Sequence, residues 1–223
     1  MGSVIGDILT PALGVAISPI PIIAAILMLL SSRARVTGTG FLLGWVLGIV
    51  VAVTAFTLLS AILPAEDPDG PQPITGVVQL VLGALLLLLA GRQWRGRPRA
   101  GAEPAMPKWM QAIDSITFPK ALGLGFLLSA VNPKNLLLAA SAGVTIGASG
   151  LSAGAFVLVI GIFTLIAAST VLVPVVGYLV AADRLRGPLD GLRRWLSKEN
   201  AVIMAVLLLV IGVVLIGKGI GSF

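Results

Sequence analysis

Long apolar runs alternate with short polar gaps along this chain. Crossing ~30 Å of hydrocarbon takes ~20 helical residues. Six runs come near or exceed that length, at about 4–31, 39–63, 74–91, 119–146, 151–181 and 200–220. The pattern predicts an all-α membrane protein with six transmembrane helices, forming a single transmembrane domain over 1–223. The first and fourth runs contain prolines, Pro11, Pro19 and Pro21 in one and Pro133 in the other, and are predicted to be broken helices. The first run does not read as a cleavable leader, because it has no basic start and carries Asp7 and the prolines.

Composition agrees with a bilayer as solvent. Hydrophobic residues make up 57% of the 223 residues and charged residues 11%, against ~25% charged in soluble domains. The chain has no Cys and no His. This excludes disulfides, thiol redox chemistry, thiolate or imidazole metal sites, and Ser-His or Cys-His nucleophile pairs. No phosphate-cradling G-x-x-x-x-G-K-[ST] loop is present, so no ATPase is encoded in the chain. No cofactor, metal site or catalytic residue is expected.

The net charge of +6 lies in the gaps, which is not a nucleic-acid pattern. Arg33 and Arg35 lie in the first gap. Arg92, Arg95, Arg97, Arg99, Lys108 and Lys120 lie in or beside the third. Arg184, Arg186, Arg193, Arg194 and Lys198 lie in the fifth. Thirteen of fifteen basic residues thus fall in odd-numbered gaps, whereas the second gap, with Glu66-Asp67-Pro68-Asp69, has none. The positive-inside rule puts the odd gaps in the cytoplasm and both termini outside. Met106, Trp109, Ile113 and Ile116 in the third gap, and Leu185, Leu189, Leu192 and Trp195 in the fifth, are spaced as interfacial amphipathic helices. Gly40, Gly44 and Gly48 form a small-residue ridge, continued more briefly by Gly143 and Gly147. The ridge admits a closely approaching helix, either from the same chain or across a homodimer seam.

The first and fourth runs correspond at an offset of 114 residues. Ser18-Pro19-Ile20-Pro21 falls on Asn132-Pro133-Lys134-Asn135, and Gly40 falls on Gly154. Each half, 1–91 and 119–223, has three runs and is joined to the other by the basic segment 92–118. An odd number makes the second half enter from the opposite side, an inverted-topology repeat. Pro19 and Pro21 cannot donate to the carbonyls of Val15 and Ile17, and Pro133 cannot donate to that of Ser129. Carbonyls freed at bilayer depth must face protein or a polar cavity. The candidate substrate-binding residues are therefore Ser18, Pro19, Pro21, Ser129, Asn132, Pro133, Lys134 and Asn135. Lys134 lies too deep to reach water by snorkelling, and its burial costs at least ~2.5–3.5 kcal/mol. It needs freed carbonyls, a wet cavity or an anionic group. Asp7 is too far along the helix to pair with it, and Lys218 is the better partner for Asp7.

These motifs resemble the lysine-exporter (LysE) superfamily. The stretches Gly40-Phe41-Leu42-Leu43-Gly44-Trp45 and Ser129-Ala130-Val131-Asn132-Pro133-Lys134-Asn135 are similar to its branch of glycolipid- and sulfolipid-addressing proteins. That resemblance implies a plasma-membrane transporter, exporter or flippase of a cell-envelope lipid or glycolipid, with membrane lipids as partners. Ile20 stands where amino-acid exporters of the superfamily have Gly. Export of small amphipathic solutes is the alternative with the same fold. A non-transporting scaffold for envelope-lipid export is the alternative from another class. An enzyme is not expected, because no second titratable group accompanies Lys134.

Overall fold

The computed structural model describes residues 1–60, 71–97 and 116–223. Glu66, Asp67 and Asp69, Arg99 and Lys108, and the interfacial segment of the third gap up to Ile113 lie outside the described residues. Among the described residues every regular element is a helix. The helices are α1 (Gly2–Ala16), α2 (Pro19–Leu30), α3 (Ala34–Ser60), α4 (Pro73–Arg95), α5 (Phe118–Ala130), α6 (Pro133–Gly147) and α7 (Ala153–Ile220).

Proline sets four of the starts. Pro19, Pro73 and Pro133 open α2, α4 and α6, and Pro119 follows the first residue of α5. At those positions the missing N–H would have had no intrahelical partner. The same residues prevent α1 from running into α2 and α5 into α6. The pairs bend by 53° and 62° at these breaks. Neither member of a pair is long enough to cross ~30 Å alone at ~1.5 Å per residue, but each pair is. Three helices, α3, α4 and α7, are long and apolar enough to cross a membrane, and five spans result when each bent pair counts as one.

Helix α7 has 68 residues, ~100 Å if straight, over three times the hydrocarbon thickness. It is not straight. Ala181 has φ −140° and ψ 53°, outside the helical region. A methyl group built on Gly177 would lie 3.1 Å from Leu185 Cδ1, a contact that residues eight apart make only where the chain folds sharply. The limb before Ala181 packs on the first bent pair, where Thr170 bonds to Ala16. The limb after it runs beside α4, with Gly212 and Gly219 against Gly83 and Gly76.

The outer faces are apolar. Leu43, Leu47, Val51 and Leu58 of α3 and Val77, Val81, Leu85 and Leu88 of α4 are all exposed. An apolar belt of this extent on several helices needs lipid as its solvent. Inside, Phe41 and Trp45 are fully buried and stack at 6.4 Å between centroids. In the fifth gap the four expected interfacial residues divide. Leu189 is buried, whereas Leu192 and Trp195 are exposed beside Arg194.

Candidate functional site

The C-terminus of α1 leaves carbonyls without helical partners, as every helix end does. Ile17 N–H donates to Leu13 O, but Ser18 N–H turns back to Ala16 O at 2.9 Å. Gly14 O is thereby left open. Ile17 O is open as well, because Pro21 has no N–H to offer it. Both oxygens sit at the negative end of a helix dipole. Lys134 reaches them from the other half of the chain. Its Nζ donates to Gly14 O at 2.5 Å, to Ser18 Oγ at 2.5 Å and to Ile17 O at 3.4 Å. An ammonium has three protons, and each finds an oxygen. Lys134 is 3% exposed.

The second break is closed in a complementary way. Asn132 Oδ1 accepts from Lys134 N–H at 3.1 Å and caps α6. Asn135 Nδ2 donates to Leu128 O at 3.0 Å, one of the terminal carbonyls of α5. Ser18 Oγ donates to Asn135 Oδ1 at 3.4 Å. One continuous network therefore runs from Leu128 through Asn135, Ser18 and Lys134 to Gly14, joining both proline breaks. A low-dielectric interior makes such a network costly to leave half-made.

Not every expected residue joins it. Pro19 and Pro21 are buried and shape the break, while Pro133 is exposed on the other side of α6. Ser129 does not belong to the network. Its hydroxyl donates to Gly125 O and Phe126 O, both at 3.0 Å, and it packs against Gly48. Gly40, Gly44 and Gly48 receive α5 within the same chain. A methyl group on Gly44 would lie 1.9 Å from Leu122 O. Thr170 was not anticipated. Its Oγ1 donates to Ala16 O at 2.5 Å, the terminal carbonyl of α1 that Ser18 N–H also reaches. The available signal was a Ser169-Thr170 pair inside an apolar run, four residues before Pro174.

Among the described residues, cavities lie at both ends of this closed centre and beside it. At the end where α1 begins and α7 stops, a cavity of about 390 Å³ is lined by Ser3, Asp7, Gln79, Thr145 and Lys218 among others. Lys218 Nζ meets Asp7 Oδ1 there at 2.5 Å, the expected pair. It also reaches Asp7 O at 3.4 Å, a carbonyl that Pro11 leaves open. At the opposite, basic end, a cavity of about 690 Å³ is lined by Arg33, Arg35, Tyr178, Asp183 and Arg186 among others. To the side, an apolar groove of about 460 Å³ between α4 and α6 is lined by Leu85, Leu88, Leu89, Arg92, Pro133, Leu136 and Leu137.

A lipid-facing helical bundle whose interrupted helices meet at a buried polar centre defines the class, a helical membrane protein with a discontinuous-helix site. Sequence comparison gives the family. The family model described as Sap, sulfolipid-1-addressing protein, matches residues 8–221, and the chain belongs to that family. Neither a curated protein nor a solved structure gives a significant match.

Proposed function

We propose that this chain moves a cell-envelope glycolipid, or its lipid precursor, across the plasma membrane by alternating access. The reading has six crossings in two inverted halves, with α7 counted as two spans folded at Ala181. It agrees with the resemblance to the lysine-exporter superfamily and with the family's description as sulfolipid-addressing. The supporting packing is reciprocal. Helix α3, the second span, lies on the broken pair of the second half through Gly44 and Gly143. The first limb of α7, the fifth span, lies on the broken pair of the first half through Thr170. The third and sixth spans pair through Gly83 and Gly212. Two such halves can rock about a shared centre.

The observation that carries the reading is the Lys134 network. It closes the midpoint between two polar cavities at opposite ends of the bundle. The apolar groove between α4 and α6 favours a lipid over a small solute, because it offers acyl chains a place on the side of the bundle. Two measurements test this. Cells lacking the protein are compared with complemented cells for the lipids of each plasma-membrane leaflet and of the outer envelope. A glycolipid retained inside and depleted outside is expected. The purified chain in vesicles should then move a fluorescent glycolipid between leaflets. An unchanged envelope with a solute retained in the cytoplasm would replace the lipid with a small solute. Envelope loss without transfer in vesicles would leave the chain a scaffold.

A further inference from the structure

Of the ion pairs among the described residues, Asp7–Lys218 alone joins two helices. The others hold Asp190 to Arg193 and Arg194 within a turn of α7. Asp7 lies on α1, and Lys218 lies near the end of α7. The Lys218 side chain is 30% exposed and that of Asp7 46%. An ion pair this open to solvent contributes little free energy. It is a poor prop for a fold and a suitable tie for a contact that breaks and re-forms.

The segment that the pair holds has a weak point built into it. Pro11 lies inside α1 and has no N–H to give to Asp7 O. Helices bend where such a rung is missing. Residues 2–10 are thus a short arm beyond a proline. Lys218 bridges the gap, with Nζ at 2.5 Å from Asp7 Oδ1 and 3.4 Å from Asp7 O. Its own base is fixed to α4. A methyl group on Gly219 would lie 2.9 Å from Gly76 O, and Gln72 N–H donates to Ser222 O at 2.8 Å.

Behind the arm lies the cavity of about 390 Å³. Ser3, Val4 and Asp7 of the arm line one side of it, and Gln79 of α4 and Thr145 of α6 line others. Gln79 supplies the second observation. It is 8% exposed, and its Oε1 has no hydrogen-bond partner among the described residues. A buried acceptor that side chains leave to water marks a wet space and not a packed core. The pair stands seven residues from Gly14, ~10 Å along α1 from the Lys134 network. Among the described residues, no ion pair crosses the cavity at the basic end. One end of the bundle is tied and the other is not.

We infer that residues 2–10 form a lid on this polar cavity, hinged at Pro11 and latched by Lys218 on Asp7. The lid is shut in this structure. Its place in a transport cycle, as the gate at the outward end, rests on the proposed function, whereas the latch itself does not.

The chain has no Cys, so a single Thr145→Cys reports on the cavity. The full chain in detergent is reacted with a charged maleimide, and the rate is followed by mass spectrometry. Ser141→Cys, at a position 3% exposed and one turn deeper in α6, reports unfolding. Asp7→Asn and Lys218→Gln should each speed the reaction at Thr145→Cys several-fold and leave Ser141→Cys unreactive. The exchange Asp7→Lys/Lys218→Asp should return the rate close to that of the parent chain. Pro11→Ala, which restores the rung, should slow the reaction again in the Lys218→Gln background. Unchanged rates in the single variants would overturn the latch. Fast reaction that persists in the exchanged pair would overturn the ion pair as its cause, and no effect of Pro11→Ala would overturn the hinge. Reaction of Ser141→Cys in step with Thr145→Cys would show unfolding in place of an opening lid. Because no transport is measured, failure here leaves the glycolipid reading standing, and failed transfer in vesicles leaves the latch standing.

Discussion

Lys134 makes its three donor contacts entirely with groups of the opposite half of the chain. It is a strut between the two proline breaks. Its depth, and its need for freed carbonyls, were legible in the sequence. The particular carbonyls were only half legible. Val15 and Ile17 follow from counting four residues back from each proline, but the structure offers Gly14 and Ile17. The difference is one amide. Ser18 N–H turns to Ala16 O, so the helix ends a step earlier than the prolines demand. Ser129 stays out of the network, since a serine in a helix can bond its own preceding turn. Lys134→Met removes the ammonium and orphans three oxygens. Each buried acceptor left unmade costs ~1–3 kcal/mol, so three cost ~3–9 kcal/mol, while relieving the buried charge returns ~2.5–3.5 kcal/mol. The balance falls against the variant, which should still fold and reach the membrane but unfold at a lower temperature than wild type. Glycolipid transfer should fall at least tenfold, and Lys134→Arg should restore it only partly, because a planar fork does not fit a site built for a point charge. Normal transfer by Lys134→Met would make the lysine purely structural.

At the scale of the helix, the glycine ridge shows how much a spacing conveys. Gly40, Gly44 and Gly48 announced a close helix approach, but not its owner, because the ridge carries no label for the partner. The backbone supplies it. A methyl group on Gly44 would lie 1.9 Å from Leu122 O, and one on Gly125 would lie 2.3 Å from Phe41 O. Both faces of the seam are therefore backbone against backbone within one chain, and a second copy would have to meet another surface. The repeat arithmetic has a limit at the same place. Gly154, matched to Gly40 in sequence, has nothing within 4 Å of an added methyl group. Equivalent position has not kept equivalent packing. Gly44→Ala should therefore destabilise the protein by ~1–3 kcal/mol or more, as overpacked cores do. Gly154→Ala should be neutral or slightly stabilising, because alanine is the better helix former. Thermal unfolding in detergent separates them, and equal shifts would mean that the seam is loose enough to yield.

For the whole molecule, the apolar pattern ends the fifth run at 181 and opens the sixth at 200, and the structure has its break at Ala181, although Leu185, Leu189 and Leu196 let α7 continue as helix through the polar gap. What reveals the fold is length against bilayer thickness, together with the non-helical Ala181. Charge then orients the result. Arg33, Arg35, Arg92, Arg95, Arg97, Lys120, Arg184, Arg186, Arg193, Arg194 and Lys198 all lie at the chain's reversals on one end of the bundle, with Lys218 at the other. Translocating that many guanidiniums and ammoniums is far costlier than retaining them, so the basic end should stay in the cytoplasm. On the proposed six crossings, both termini should face outward. The absence of native Cys makes single-cysteine labelling unambiguous. Ser3 and Ser152 are exposed at the end of the bundle opposite the arginines, and Ser32 and Lys198 are exposed at the basic end. Ser3→Cys and Ser152→Cys should react with an impermeant maleimide in intact cells, whereas Ser32→Cys and Lys198→Cys should react only after lysis. The Lys198 position decides the number of crossings. If α7 crossed once without folding back, Ser152 and Lys198 would lie on opposite sides but Lys198 and Ser222 on the same side. Ser222→Cys labelling from outside while Lys198→Cys stays protected requires the sixth crossing. Matching behaviour of the two would remove it, and with it the inverted three-span halves.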